Sequence, residues 1–216
     1  FGKVKDAGLK ARYAFQNMRA LFRMGKYDEA VKFYDDRIKH TPAVGSMYFR
    51  CLGYKAACLY RLGKYSESNY IYSLLFDQYG PMQLDAFWSF HPWEQEDWTA
   101  TLAMAGSAYE NEVLWQMFGV YADPFRAMKE IALVNPSSGK MKLLLVSAVN
   151  IAETHLLQND PWDVVWYSLP DDGGTQVLDP YASWARVDSL NAVHLLDFSL
   201  QQIKDNRVID RSVWKT

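Results

Sequence analysis

The sequence predicts an all-α protein in which antiparallel helix pairs stack on one another, followed by a divergent helical C-terminal part. Apolar residues recur with the 3.6-residue period of a helix. A glycine followed two residues later by a tyrosine occurs twice, in FRMGKYDEA (22–30) and YRLGKYSES (60–68), thirty-eight residues apart. One helix pair cannot bury its apolar stripe alone, so the repeated pairs are expected to stack on each other.

The first helix pair is predicted between residue 11 and the Thr41-Pro42 step. One helix covers 11–23 and ends before Gly25, because glycine readily adopts the left-handed conformation that follows a helix. Asp28 stands near the start of the second helix, where a carboxylate can accept from backbone N–H groups. Thr41-Pro42 ends that helix, since the residue before a proline is disfavoured in helical conformation. The apolar stripe of the first helix consists of Ala14, Met18 and Leu21.

The second pair repeats this arrangement. Gly63 is expected to end its first helix, and Ser66 to cap the helix that follows. The step Gly80-Pro81 then closes the pair. The apolar stripe of its first helix consists of Leu52, Ala56 and Leu59.

A third pair is predicted around the segment MFGVYADPF. Gly119 and Tyr121 repeat the turn signature, and Pro136 stands seventeen residues after Gly119. Asp123-Pro124 forms a good helix start, because a proline is tolerated in the first turn.

Residues 81–98, PMQLDAFWSFHPWEQEDW, interrupt the repeat and are rich in aromatic side chains. The segment is expected to be an inserted loop or short helix packed over the helix pairs. Its tryptophans are either buried anchors or part of a functional surface, because long insertions are often functional.

The remaining residues, 137–216, are predicted to form a helical extension that caps the stack. One helix is expected over 140–158 and a last one over 181–204, which would cover apolar surface at the open end. The apolar side of the last helix is predicted to contain Val187, Leu190, Val193, Leu196 and Leu200.

The spacing of these signals resembles the tetratricopeptide repeat, a helix pair of about 34 residues. Counted from Gly25, the residues that match are Tyr27, Ala30, Tyr34 and Pro42. Arg37 departs from the pattern, because the family has a small residue there. The copy that begins at Gly63 is looser, with Pro81 one position late. The resemblance implies that the helix pairs over 10–136 form a right-handed superhelix, a TPR-like α-solenoid. It also implies a non-catalytic scaffold or adaptor that binds a protein or peptide on its concave face.

Composition excludes several functional classes. The formal net charge of −2 argues against nucleic acid as a partner, because binding to phosphates needs an excess of Lys and Arg. No apolar run is long enough to predict a membrane span. Cys51 and Cys58 lie two helical turns apart, too far to form a disulfide with each other. The chain begins at Phe1, which suggests a trimmed product, and the sequence leaves cytoplasm and bacterial periplasm both open as locations.

The sequence contains no strong catalytic or cofactor motif. The segment NPSSGKM (135–141) ends like a phosphate-binding loop but lacks the leading glycine and the metal-binding Ser or Thr. The histidines show no His-Glu-x-x-His spacing, so no metal and no cofactor are expected. A site assembled from scattered residues, such as Cys51 with a histidine, remains an alternative.

The helices that would line the concave face carry a cluster of arginine and aromatic residues. Arginine binds carboxylates with a planar fork, and adjacent rings add stacking, so an acidic or carboxylate-ended segment is the expected ligand. Alternatively, the arginines pair with Glu29, Asp35 and Asp36 or are only solvated. The predicted partner-binding residues are Arg12, Phe15, Arg19, Arg23, Arg50, Tyr54 and Arg61.

A second functional class is glycan binding by a bacterial surface or periplasmic helical protein. Such proteins hold sugars on flat aromatic platforms. The candidate platform residues are Trp88, Trp93, Trp98 and Trp162.

Overall fold

The computed structural model describes residues 6–41, 45–92, 95–121, 123–157 and 188–204, and all regular structure in these ranges is helical. The all-α prediction is confirmed. Contacts divide the chain into two compact units, Phe1–Ala105 and Gly106–Thr216. This division leaves the predicted limits 10–136 and 137–216 untested. The helices are α1 (Ala7–Arg23), α2 (Tyr27–Arg37), α3 (Ser46–Arg61), α4 (Tyr65–Gln78), α5 (Gln83–Trp88), α6 (Gln95–Ala103), α7 (Ala108–Tyr121), α8 (Pro124–Val134), α9 (Met141–Leu157) and α10 (Asp188–Lys204).

The two repeated glycines lie at the bends between consecutive helices, as predicted. Gly25 has a φ of 71° and Gly63 a φ of 74°, a region in which only glycine is unstrained. After each glycine the chain closes the preceding helix in the same way. The N–H of Lys26 donates to the carbonyl of Leu21 over 3.0 Å, and the N–H of Lys64 donates to the carbonyl of Leu59 over 2.9 Å.

The first four helices pack around one core. α1 contacts both α2 and α3, α3 also contacts α2, and α4 packs on α3. The backbones of α3 and α4 approach closely because small residues lie between them. There the hydroxyl of Ser68 on α4 donates to the carbonyl of Ala56 on α3 over 2.9 Å. The predicted stripes are buried in this core, apart from the half-buried Leu21. The fully buried residues of these helices include Met18, Ala30, Ala56, Cys58, Leu59 and Leu75.

Three predicted helix boundaries differ from the observed ones. α1 begins at Ala7, four residues earlier than predicted, because the carboxylate of Asp6 caps it by accepting from the N–H of Leu9 over 2.6 Å. α2 ends at Arg37, before Pro42, which lies outside the described residues. Ser66 lies within α4 rather than capping it, and its hydroxyl donates to Asp97 over 3.2 Å.

The predicted insertion, 81–98, forms helical segments that pack on α4. A 3₁₀ turn (Gly80–Met82) leads into α5, and α6 follows. The side-chain amide of the buried Asn69 binds the backbone of His91 from both sides. Its nitrogen donates to the carbonyl over 3.0 Å, and its oxygen accepts from the N–H over 2.9 Å. Asn69 therefore satisfies both backbone hydrogen-bonding groups of His91 and holds the segment around His91 against α4.

The second unit is organised around α7, α8 and α9, which contact one another. Asp123 caps α8 by accepting from the N–H of Arg126 over 2.9 Å, and Pro124 is the first helical residue, as predicted. The prediction that Gly119 forms a turn is wrong, because Gly119 is buried inside α7. A Cβ atom there would lie 2.6 Å from atoms of both Ala127 and Leu144, so glycine permits the close approach of α8 and α9.

The described part of the last predicted helix is α10, and residues 181–187 lie outside the described residues. α10 packs on α9. Its predicted apolar side is wrong at two positions, because Leu196 and Leu200 are exposed. Among the described side chains of α10, Leu195 is buried, and Phe198 contacts the ring of Phe125 edge-on, with 5.8 Å between ring centroids. Val187 and the side chains of Leu190 and Val193 fall outside the described residues. No helix in the described ranges has the length and apolar character to span a bilayer.

Candidate functional site

A continuous row of aromatic rings runs along the contact between α1 and α3. The ring of Tyr54 lies 5.8 Å from that of Phe15 and 5.4 Å from that of Phe22. The ring of Phe22 lies 5.6 Å from that of Tyr27, at the start of α2. All four rings are tilted or edge-on, the arrangement that aromatic quadrupoles favour. We refer to Phe15, Tyr54, Phe22 and Tyr27 as the ring ladder.

The ring ladder positions one of the predicted arginines. The guanidinium carbon of Arg50 lies 5.9 Å from the centroid of the Phe15 ring, within the range of a cation–π interaction. Arg50 is nevertheless exposed, so its hydrogen-bond donors remain accessible to a ligand. The structure thus brings together Phe15, Tyr54 and Arg50 from the predicted set.

The other predicted arginines lie on the same two helices. Arg12 and Arg23 on α1 and Arg61 on α3 are exposed, whereas Arg19 is half-buried. Within the described part of the chain, no carboxylate lies within ion-pair distance of any of them, since all the pairs found there involve lysines.

The neighbouring acids are paired with lysines instead of arginines. Glu29 pairs with Lys26 at 2.9 Å, and Asp36 pairs with Lys32 at 3.0 Å. Asp35 accepts from Lys55 at 2.7 Å. The described residues therefore do not show the alternative in which these three carboxylates neutralise the arginines. We call the side of α1 and α3 that carries the arginines and the ring ladder the α1–α3 face.

Lys55 is itself held between two groups of α2. Besides Asp35, its ammonium lies 5.1 Å from the centroid of the Tyr34 ring. Burial raises the pKa of Tyr34 far above its usual value, with further increases from Tyr48. The phenol is therefore a neutral packing group that fixes α3 on α2, on which the geometry of the face depends.

The two cysteines are free thiols that are buried on α3. Burial raises the pKa of Cys51 to about 12 and that of Cys58 to about 11. A thiol becomes a nucleophile only as the thiolate, so neither residue is activated near neutral pH. The described residues contain no cluster of His, Cys, Asp and Glu that could hold a metal ion.

The segment NPSSGKM does not form a phosphate-binding loop. It joins α8 to α9, and its polar side chains bind the buried carboxylate of Glu112 on α7. Ser138 donates to that carboxylate over 2.5 Å, and Asn135 donates over 3.1 Å. A phosphate at this position would meet the negative charge of Glu112, so the segment is a structural connection.

Of the four tryptophans of the candidate platform for glycans, the structure describes Trp88 and Trp98. Trp98 is completely buried and packs edge-on against Phe90, with 6.2 Å between ring centroids, so it cannot contact a sugar. Trp88 on α5 is 68% exposed. Trp93 and Trp162 lie outside the described residues.

One member of the site was not predicted as such. Tyr27 extends the ring ladder from α1 onto α2, although the sequence identified it only as part of the turn signature. Its position two residues after Gly25 is the signal that could have placed it there, because that turn folds α2 back beside the end of α1.

Comparisons with other proteins add no family to these observations. No protein-family model matches the chain, and no similar chain was found among curated proteins or solved structures.

Proposed function

We propose that this protein is a binding scaffold of the tetratricopeptide-repeat type, whose helix pairs form a right-handed superhelix with α1 and α3 on its concave face. Its ligand is an acidic segment of another protein, and binding involves no catalysis. The observation that supports this function best is the separation of charges around the face. Glu29, Asp35 and Asp36 are each paired with a lysine, whereas the arginines beside the ring ladder have no acidic partner in the described ranges.

The chemistry of the face fits an acidic peptide better than an apolar one. Exposed guanidinium groups can each bind a carboxylate through two parallel hydrogen bonds. The rings beside them offer rigid apolar area, and arginine and tyrosine are favoured among residues that dominate binding energies. The formal net charge of −2 for the whole chain makes the positive face a local feature, which favours one partner over general adhesion to anions.

Selection from a displayed library of random peptides tests this function. The folded protein should enrich peptides rich in Asp and Glu. A variant with Arg12→Glu and Arg61→Glu should lose these peptides, because both substitutions reverse an exposed charge on the face.

A matched control is the variant with Arg37→Glu and Lys39→Glu. Both residues are exposed at the end of α2, outside the face, and the change in net charge is the same. This control should select the same peptides as the unaltered protein. Selection without acidic enrichment, or equal loss of binding in both variants, would contradict the proposed function.

Glycan binding is the second candidate, and the exposure of Trp88 is the observation that favours it. Titration with oligosaccharides while tryptophan fluorescence is recorded distinguishes the two functions. A saturable change that disappears in Trp88→Ala would support glycan binding, and no change at millimolar sugar would exclude it for this surface.

A further inference from the structure

The ring contacts determine how α1 and α3 lie beside each other. Tyr54 on α3 contacts Phe15 and Phe22, which are seven residues apart on α1. Arg50 precedes Tyr54 by about one turn, and it lies over Phe15 rather than Phe22. Moving towards the C-terminus of one helix therefore also moves towards the C-terminus of the other, so α1 and α3 run parallel.

This register places the exposed arginines at two ends of the face. Arg12 precedes Phe15 by less than one turn, and Arg50 lies over the same ring, so both flank the N-terminal end of the ring ladder. Arg23 directly follows Phe22, and Arg61 stands two turns beyond Tyr54, so both lie at the C-terminal end. We call these sets the N-terminal arginine pair and the C-terminal arginine pair.

The two arginine pairs are separated by a fixed distance. Arg12 and Arg23 are eleven residues apart, as are Arg50 and Arg61, which corresponds to about 16 Å along a helix axis. Between the pairs lie the exposed parts of the half-buried rings of Phe15, Tyr54 and Phe22. The surface is thus cationic at both ends, and its middle carries these rings together with the half-buried Arg19.

We propose that the α1–α3 face binds an extended segment with two acidic residues about five positions apart and one large apolar side chain between them. An extended chain advances about 3.3 Å per residue, so five residues cover the distance between the arginine pairs. The apolar side chain packs on the ring ladder, and each carboxylate binds one pair. This inference rests on the proposed function, and it specifies the ligand of that same face.

An extended ligand fits this spacing better than a helical one. A helix needs eleven residues to cover the same distance, and each residue that becomes ordered on binding costs conformational entropy. A short extended segment therefore reaches both arginine pairs at the smaller entropic cost.

Synthetic peptides of different spacing test the inference directly. The probe is an eight-residue peptide, blocked at both ends and carrying a neutral fluorophore, with glutamates five positions apart and a phenylalanine between them. It should bind at least tenfold more tightly than a peptide of the same composition with adjacent glutamates, as measured by fluorescence anisotropy. Replacing its phenylalanine by serine should also weaken binding.

Double-mutant cycles assign each carboxylate to one arginine pair. Arg12→Gln and Arg61→Gln should each lower the affinity of the protein for the probe by roughly three- to tenfold. A probe in which one glutamate is changed to glutamine should respond to only one of the two substitutions, and the opposite probe to the other. Circular dichroism of both variants checks that the helices remain folded, and Arg37→Gln is the control outside the face.

The outcomes separate this inference from the proposed function. Equal binding of both spacings, with both arginine substitutions still weakening it, would overturn the spacing but leave an acidic-peptide face. Binding of neither peptide at millimolar concentration, or binding insensitive to Arg12→Gln and Arg61→Gln, would overturn both.

Discussion

Arg50 is positioned by a ring rather than by a carboxylate, and this distinguishes it from the lysines nearby. Its guanidinium lies over Phe15, whereas Lys26, Lys32 and Lys55 each contact an acid. Stacking leaves the hydrogen-bonding edge of the guanidinium available, while an ion pair would occupy it. Arg50 therefore keeps donors available for a ligand, whereas these three lysines are already paired.

Asp123 combines two opposing effects at one residue. Burial raises the pKa of its carboxyl group, and the bond from Arg126 partly offsets that increase. A raised folded-state pKa favours the protonated form, so the resulting stabilisation is present at low pH and is lost as the pH rises through that pKa. At neutral pH the buried charge is tolerated because it caps α8.

Substitution of Asp123 can separate the two effects. Asp123→Asn keeps a capping oxygen without the charge, so its free energy of unfolding at pH 7 should equal or exceed that of the unaltered protein. Asp123→Ala loses the cap and should be less stable by about 1 kcal/mol. Urea unfolding at pH 7 and pH 5 measures both. A loss in Asp123→Asn as large as that in Asp123→Ala would contradict this explanation.

At the scale of helices, glycine is needed for two different reasons. At the turns it permits a backbone conformation with positive φ, and at a helix contact it leaves room for the neighbouring helices. Gly25 and Gly63 have positive φ angles with open space around them. Gly119 has the opposite character, with an ordinary helical backbone and no room for a side chain. Glycines that look alike in the sequence are therefore required for different physical reasons, backbone conformation at Gly25 and Gly63 and lack of space at Gly119.

The turn glycines should each tolerate alanine at a small cost. Gly25→Ala and Gly63→Ala introduce left-handed strain without a clash, so each should lower the free energy of unfolding by about 1 kcal/mol. The losses should be additive in the double variant, because the two turns are separate sites. Chemical denaturation measures this, and no loss at either position would show that these bends do not need glycine.

Gly119→Ala should be more damaging than either turn substitution. The new methyl group would meet Ala127 on α8 and Leu144 on α9, and Ala127 has no flexible side chain that could move away. Forcing these helices apart should cost roughly 1–3 kcal/mol. Gly139→Ala is the matched control in the same unit, since nothing lies within 4 Å of its added Cβ. Equal melting temperatures for the two variants would contradict the close approach.

At the scale of the whole molecule, charge is unevenly distributed despite the formal net charge of −2. The arginines of the α1–α3 face lack acidic partners in the described ranges, and lysines pair with Glu29, Asp35 and Asp36 nearby. An acidic ligand would therefore experience a local field that the overall composition does not reveal.

Binding of the spaced-glutamate peptide should depend strongly on salt. Exposed charges are screened over about 10 Å at 0.1 M salt and over about 3 Å at 1 M. Raising the salt concentration from 0.1 M to 1 M should lower the affinity for the peptide by roughly tenfold or more. The variant with Arg37→Glu and Lys39→Glu should show the same dependence, because these residues lie outside the face. Salt-independent binding would mean that the rings alone hold the peptide.

The sequence by itself determined the local features of this protein. The helices, the bends at Gly25 and Gly63 and the start of α8 at Pro124 follow from steric rules and periodicity within a few residues. These rules act between chain neighbours, so no knowledge of the folded structure is needed to apply them.

Only the tertiary structure decided which role is taken by each of several residues of the same type. Trp98 is buried and Trp88 exposed, Gly119 packs between helices instead of forming a turn, and Asp35 on α2 binds Lys55 on α3. Each of these outcomes depends on contacts between residues far apart in the chain. Local periodicity carries no information about such contacts, because they arise only when the helices pack.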